Sequence, residues 1–332
     1  MFKLNRHPTN PVLAKNPVSH WEAGSVFNPC VIRDGNIFRM YYRATNDIKH
    51  KEKGGYVSSI GYAESSDGIN WARSNEPALV PNEPYDRDSC EDARVTKIGS
   101  VYYMYYTAIT IDGGGKWHSR VALATSNDAR RWEKHGVVGP AGSSSKAATL
   151  FPEPIGGKYW WFYTWEADRP QSTILSVAAN SLEEVVSPPA GQVAKTLEYF
   201  DTWSVFAPPH TSPNTIPVIR GAEVGAPPIK TESGWLFIYC NANTTGHPGW
   251  TIKAALLDLN DPRKVIAETA EPILEPETDE ERGGVVNNVT FPEGAVVVGD
   301  ELYVYYGSGD QGCCLATCNL QDLLDHLTDS NR

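Results

Sequence analysis

The sequence predicts an all-β fold, a five-bladed β-propeller with a short C-terminal helix, and three observations carry that prediction. An aromatic strand recurs five times, at Ile37–Tyr42, Tyr102–Tyr106, Tyr159–Tyr163, Trp235–Tyr239 and Leu302–Tyr306. Each copy follows a turn rich in Gly, Asp or Ser: Asp34-Gly35, Gly99-Ser100, Gly156-Gly157, Ser233-Gly234 and Gly299-Asp300. Such residues favour tight hairpins. After each copy comes a second apolar run, at Ser59–Ala63, Arg120–Ala124, Thr173–Val177, Lys253–Leu257 and Cys314–Thr317. Short aromatic and β-branched runs repeating every sixty or so residues fit sheets arranged radially around an axis. A β-sandwich does not require that fivefold pattern.

Taken in order, each blade begins with an inner strand before its turn, expected at Val31-Ile32, Val95-Thr96, Pro154-Ile155, Pro228-Ile229 and Ala295–Val298. The aromatic strand and the second apolar run supply the next two strands. A fourth, outer strand is expected beyond polar turns such as Ser66–Trp71 and Ser126–Trp132. Only Leu320–Leu327 spaces apolar residues at helical period, so a helix is expected there, packed outside the ring. Residues 1–332 read as a single catalytic domain of this type.

With 41% hydrophobic and 21% charged residues the composition is globular. A formal net charge of −11 argues against nucleic acid or an anionic membrane as partner, because those surfaces are held by clustered Lys and Arg. The first residues lack the apolar core of a secretory signal, and no apolar run has membrane-spanning length, so the chain as given reads as cytoplasmic. Cys30, Cys90, Cys240, Cys313, Cys314 and Cys318 show no zinc-type pairing and read as buried thiols.

A propeller gathers the inner strands at one axial funnel, so polar residues at the same phase of each repeat are the site candidates. That phase gives Asn28, then Glu91, Asp92 and Arg94, then Glu153, then Glu223 and Glu293, with Asp310 after the last aromatic strand. Carboxylates converging in a cleft suit glycoside cleavage, in which one group protonates the leaving oxygen and another serves the attacking group. Taken singly, each acid could equally cap a turn or pair with Arg43, Arg94 or Arg220. Trp165, Phe291 and Trp203 are aromatic candidates for stacking on sugar, while most of the ten tryptophans read as inter-blade core.

Several motifs, in this order and spacing, resemble glycoside hydrolase family 130. They are Phe27-Asn28-Pro29, Tyr42-Arg43-Ala44, Cys90-Glu91-Asp92-Ala93-Arg94, Leu150-Phe151-Pro152-Glu153, Gly225–Ile229, Asn288–Gly294 and Tyr305–Asp310. The resemblance covers nearly the whole chain. It implies a five-bladed propeller acting on β-mannosides with inversion, either as phosphorylase or as mannosidase. It matches Asp92 to a proton donor working through the mannose 3-hydroxyl, and Asn28, Arg43 and Asp310 to residues holding the non-reducing mannose. Glu91 and Arg94 flank the donor, and Phe291 is placed beside the sugar.

The sequence departs from that pattern where phosphorylases of the family gather cations for phosphate. Lys146 is kept, but Thr164, Gly221 and Cys240 stand where Arg, Lys and His are expected, and Glu223 intrudes nearby. A carboxylate there repels a phosphate dianion and suits a water-activating base. The sequence therefore favours an inverting exo-β-mannosidase on short mannosides, β-1,2-linked ones among the candidates, with Asp92 as acid and Glu223, or alternatively Glu293, as base. It needs no metal or cofactor. The alternatives are a β-mannoside phosphorylase that uses inorganic phosphate and releases mannose 1-phosphate, with Arg169 or Arg220 restoring the anion site, and a non-catalytic sugar-binding propeller. An arabinose- or fructose-directed propeller glycosidase is disfavoured by the Glu-Asp-Ala-Arg and Pro-Pro-Ile motifs. The loops 47–55, 112–117 and 199–217, which set linkage and chain length, are not legible, nor is any association into homo-oligomers.

Overall fold

The computed structural model describes residues 2–46, 56–139, 144–165, 173–188, 222–244 and 247–329. Two short N-terminal strands, β1 (Asn5–Arg6) and β2 (Leu13–Ala14), come first in the chain. Blade one is β3 (Ser25–Asp34), β4 (Ile37–Thr45), β5 (Ser58–Ser65) and β6 (Ala72–Arg73). Blade two is β7 (Ser89–Ile98), β8 (Val101–Ile111), β9 (Trp117–Ser126) and β10 (Glu133–Val137). Blade three has β11 (Ser145–Leu150), β12 (Tyr159–Trp165) and β13 (Thr173–Ala179), followed by the short helix α1 (Leu182–Val186).

Blade four is β14 (Ala222–Glu223), β15 (Ile229–Thr231), β16 (Gly234–Thr244), β17 (His247–Leu257) and β18 (Val265–Glu268). After the single-turn helix α2 (Asp279–Arg282), blade five is β19 (Thr290–Val298), β20 (Glu301–Ser308) and β21 (Gly312–Asn319), and the chain ends in α3 (Leu320–Asp329). Every blade is antiparallel, and β1 and β2 both pair with β21. The N-terminus thus completes the last blade and covers its outer edge, which would otherwise present unpaired backbone groups.

The aromatic strands are second from the axis, where both faces are covered by neighbouring blades. Tyr41, Tyr105, Tyr239 and Tyr305 have no exposed surface. Tyr105 stacks on Trp161 of the next blade at 5.1 Å, and Phe151 meets Trp235 edge-on at 5.2 Å. Burying side chains of this size is worth roughly 1.5–3 kcal/mol each, so the fivefold repeat is also the main inter-blade adhesive. Leu323, Leu324 and Leu327 of α3 pack into the core shared by blades four and five, outside the ring as expected.

Three details differ from the sequence reading. Inner strands are longer than the expected two-residue pieces, since the polar motifs themselves are strand rather than loop. The inner strand of blade three is Ser145–Leu150; at the expected Pro154-Ile155 there is a lone bridge from Ile155 to Lys158. Helices α1 and α2, too short to show helical periodicity, were not foreseen; Ser181 and Thr278 cap them. All six cysteines are buried and free. No helix among the described residues is long and apolar enough to cross a membrane.

Candidate active site

Site geometry originates in a defect repeated in the inner strands. In β3 the register slips between Phe27 and Cys30, in β7 between Glu91 and Arg94, and in β11 between Lys146 and Thr149. Each slip puts an extra residue opposite one partner residue, which is a β-bulge. At each bulge sits a non-glycine residue in the left-handed region: Asn28 at φ 52°, Asp92 at φ 54° and Ala147 at φ 49°. Blade five slips between Pro292 and Gly294, around Glu293. In a regular strand Glu91 and Asp92 would point to opposite faces. The bulge turns the second residue, so both carboxyl groups meet the same guanidinium.

That guanidinium belongs to Arg43, donated from β4. Its Nη2 donates to Glu91 Oε1 at 2.7 Å, its Nη1 lies 3.5 Å from Asp92 Oδ1, and its Nε donates to Ser58 Oγ at 3.0 Å. Asn28 Nδ2 donates to the same Asp92 oxygen at 2.9 Å. Asn28 Oδ1 is buried against Gly307 without a hydrogen-bond partner. The two adjacent carboxyl groups part ways electrostatically. Burial raises both, but for Asp92 the charges of Arg43, Arg94 and Lys146 and the Asn28 hydrogen bond prevail, holding it below the usual carboxylate range. For Glu91 burial prevails over Arg43, with the Asp92 charge adding to it, and the carboxyl is pushed up.

These residues open into a pocket of about 160 Å³. Asn28, Arg43, Asp92, Lys146, Glu223 and Asp310 supply its polar wall, and Trp250, Val286, Val289 and Phe291 its apolar wall. The volume lies below the usual range for drug-sized ligands and suits one sugar ring, with a polar side for hydroxyls and an apolar side for the ring face. Asp310 reaches it from the β20–β21 turn at φ 56°. Beside it, buried Tyr56 packs against half-exposed Trp117, ring centroids 5.9 Å apart. Arg43, Glu91, Asp310 and Lys146 all act electrostatically on Tyr56, although neither ring of the pair lines the pocket.

Of the residues singled out from sequence, Asn28, Arg43, Asp92, Lys146, Glu223, Phe291 and Asp310 line this pocket together. Glu91 stands behind Arg43, and Arg94 is wholly buried below. Glu153 does not join them. It is a half-exposed partner of Lys230, because the inner strand of blade three has already ended at Leu150. Trp165 ends β12 away from the pocket lining, and Glu293 is fully enclosed beside Arg94 rather than facing the cavity. Trp203, Arg169, Arg220 and Gly221 lie outside the described residues.

At the positions of departure, Thr164 accepts a hydrogen bond from the Val224 N–H at 2.9 Å, so its hydroxyl ties blade three to the strand bearing Glu223. Cys240 is paired opposite Glu223, and burial together with that carboxylate pushes its thiol up. Trp250, Val286 and Val289 were missed from sequence. They come from the β17 start and the α2–β19 segment, joined by a Trp250–Val289 bridge and by the Trp250 N–H donating to Asn288 O at 2.8 Å. Nothing in their spacing signals this, since the contact is between blades.

Comparison with known proteins covers the whole molecule. The family described as β-1,4-mannooligosaccharide phosphorylase, within glycoside hydrolase family 130, matches residues 3–329. A 1,2-β-oligomannan phosphorylase of Thermoanaerobacter sp. (strain X514) is 36% identical over 325 residues, 97% of this chain and 99% of the relative. A β-1,2-mannobiose phosphorylase of the same organism is 38% identical, over 93% of this chain and 95% of the relative. Among solved structures, the β-1,2-mannobiose phosphorylase of Listeria innocua in complex with β-1,2-mannobiose superposes with a TM-score of 0.76 at 24% identity, covering 98% of this chain and 99% of that one.

Proposed function

The chain belongs to glycoside hydrolase family 130, and on that premise we propose that it is a β-1,2-mannoside phosphorylase. It would take the non-reducing mannose into the axial pocket and transfer it, with inversion, to inorganic phosphate. The supporting observation is the full-length likeness, at 36% and 38% identity, to two β-1,2-mannoside phosphorylases. Within the pocket, Lys146 is the cation that answers to this role. Hydrolysis, the main reading of the sequence, thereby becomes the second.

In this reading Asn28, Arg43 and Asp310 hold the mannose hydroxyls, and Phe291 and Trp250 cover its apolar face. A phosphate oxygen attacks C1 from the face opposite the leaving oxygen. The C1–O bond breaks, and the leaving oxygen takes a proton from the 3-hydroxyl, which takes one from the Asp92 carboxyl. The products are α-mannose 1-phosphate, the shortened mannoside and an ionised Asp92. In the empty pocket Asp92 is held toward its ionised form while neighbouring Glu91 favours the proton. A sugar that displaces water and offers a neutral hydroxyl shifts the balance toward protonated Asp92.

Hydrolysis is supported by one specific observation: Glu223 is buried in the same pocket, with Cys240 opposite it. In that version water attacks C1, Glu223 accepts its proton, and α-mannose is released. The two readings separate by incubating β-1,2-mannobiose with and without inorganic phosphate and following products by NMR. Phosphate-dependent mannose 1-phosphate is expected. Free α-mannose at equal rate in both arms would replace phosphorolysis with hydrolysis, and binding without product would leave only a sugar-binding propeller.

A further inference from the structure

Beneath the pocket lies a group of buried polar contacts that substrate does not reach. Arg94 has no exposed side-chain surface, and neither does Glu293, whose Oε1 is 3.1 Å from Arg94 Nη2. The guanidinium leaves blade two and crosses to blade four. Its Nε donates to Gly225 O at 3.1 Å and its Nη2 to Val224 O at 2.9 Å, while its Nη1 returns to Asp92 O at 2.9 Å. Its outer face lies over the Phe291 ring at 5.7 Å. Three of its five N–H groups are therefore spent on backbone carbonyls flanking two pocket carboxylates, Asp92 directly and Glu223 through the next residue.

We propose that Arg94 and Glu293 form a buried axial pin, a pair of positioning residues that fixes Asp92 of blade two and the Glu223 strand of blade four relative to each other. Three independent features support it. Asp92 is held at φ 54°, a conformation that persists only where its surroundings enforce it, and the Arg94 bond to its carbonyl is one such restraint. The Val224–Gly225 backbone approaches so closely that a Cβ on Gly225 would lie 2.2 Å from Ile238 O, so the carbonyls facing Arg94 have no slack.

The third feature is Glu293 itself. Both its oxygens are buried with no aligned hydrogen bond, a costly arrangement that an apolar residue of equal size would avoid. Its contribution is lateral: it borders Arg94 from blade five and keeps the guanidinium over the axis. Burial, countered by Arg94, pushes the Glu293 carboxyl well up. It stands beneath the pocket and is not among the residues that line it.

The inference rests on the reading of Asp92 as proton donor, so Asp92→Asn is measured alongside. Glu293→Met removes the lateral contact at nearly constant volume, and Glu293→Gln keeps an acceptor beside Arg94. For Glu293→Met we expect kcat to fall about 10- to 100-fold with KM for mannobiose within about 2-fold. The pH profile of kcat/KM should move, because Asp92 is set by Arg43, Lys146, Glu91, Asn28 and a displaced Arg94. Glu293→Gln should restore kcat to within about 3-fold and return the wild-type profile.

A folded Glu293→Met enzyme with wild-type kcat and pH profile overturns the pin. So does a Glu293→Gln enzyme no better than Glu293→Met, which reduces the residue to packing. If Glu293→Met does not fold, Arg94→Lys decides, since an ammonium cannot span three carbonyls: a folded Arg94→Lys enzyme with unchanged kcat also overturns it. An active Asp92→Asn enzyme refutes the donor reading instead, and a silent one beside an unaffected Glu293→Met refutes the pin alone.

Discussion

The two ends of the propeller axis use the same backbone conformation for opposite purposes. At the end away from the pocket, the hairpins joining inner and second strands turn through Gly35, Gly99, Gly156 and Gly299, all with φ between 60° and 62°. At the pocket end, Asn28, Asp92, Ala147 and Asp310 hold φ between 49° and 56°. A residue with a Cβ pays about 1–2 kcal/mol to sit in the left-handed region, and glycine does not. The far end is therefore relaxed and the pocket end is strained. Strain is tolerated where a residue must be aimed: all four strained residues line the pocket, Ala147 together with its neighbour Lys146.

The sharpest break of this comparison is Asp92→Asn. It keeps size and the local conformation but, on the proposed mechanism, removes the transferable proton, so mannobiose cleavage should fall by about 10²–10⁴-fold with an unchanged thermal midpoint. An enzyme that loses stability in parallel would mean that the strained end is structural after all. Next in size is Gly225→Ala, which introduces a Cβ 2.2 Å from the Ile238 carbonyl oxygen and 2.8 Å from the Tyr239 Cα. Since both are backbone, neither can swing aside, and we expect a loss of about 1–3 kcal/mol with a matching drop in activity. Thermal denaturation and initial rates measured together check it.

The relaxed end was the legible one. Turn glycines, aromatic strands and the outer helix follow from period and propensity, which are local, and the fivefold repeat fixed the blade count. Motif residues such as Asn28, Asp92 and Asp310 were found because phase within a repeat becomes position around an axis, whereas Arg43 came from the resemblance to family 130. What escaped was whatever depends on a bulge or on contact between blades. Glu153 was placed in the funnel because the inner strand of blade three, expected at Pro154-Ile155, runs from Ser145 to Leu150 and ends before Glu153. Trp250 went unnoticed because it reaches the pocket beside Val289, to which it is bridged from thirty-nine residues away in sequence. The choice between phosphate and water was argued from Thr164, Gly221 and Cys240 in place of cations and from the added Glu223; Thr164 supports the backbone of the neighbouring blade, Cys240 pairs across from Glu223, and Gly221 lies outside the described residues.

A smaller test addresses how the strained end tunes its acid. Asn28 donates to Asp92 Oδ1 and helps hold that carboxyl low. Removing the donor in Asn28→Ala favours the protonated form, so the Asp92 pKa rises toward its ordinary value. In the proposed mechanism cleavage requires the proton and declines as pH climbs through that pKa. The decline in kcat/KM should accordingly move to higher pH, by about one unit if the hydrogen bond to the charged form is worth about 1.5 kcal/mol. A profile that stays in place would assign the decline to another group.

The smallest expected effect is at the relaxed end, and it calibrates the others. A Cβ at Gly99 would meet nothing within 4 Å, so Gly99→Ala carries only the left-handed penalty at φ 61°, about 1 kcal/mol. The mutation also restricts the unfolded chain, which offsets part of that loss. In a chain of this length the thermal midpoint should fall by about 1–2 °C, with kcat and KM unaltered. Ala147→Gly reverses the exchange at the pocket end: the penalty vanishes while glycine's extra unfolded entropy, roughly 0.5–1 kcal/mol, returns. Its midpoint should stay close to wild type. If the Ala147→Gly enzyme is also as fast as wild type, strain beside Lys146 is incidental; if it is slower at equal stability, that strain is part of how the pocket holds its cation in place.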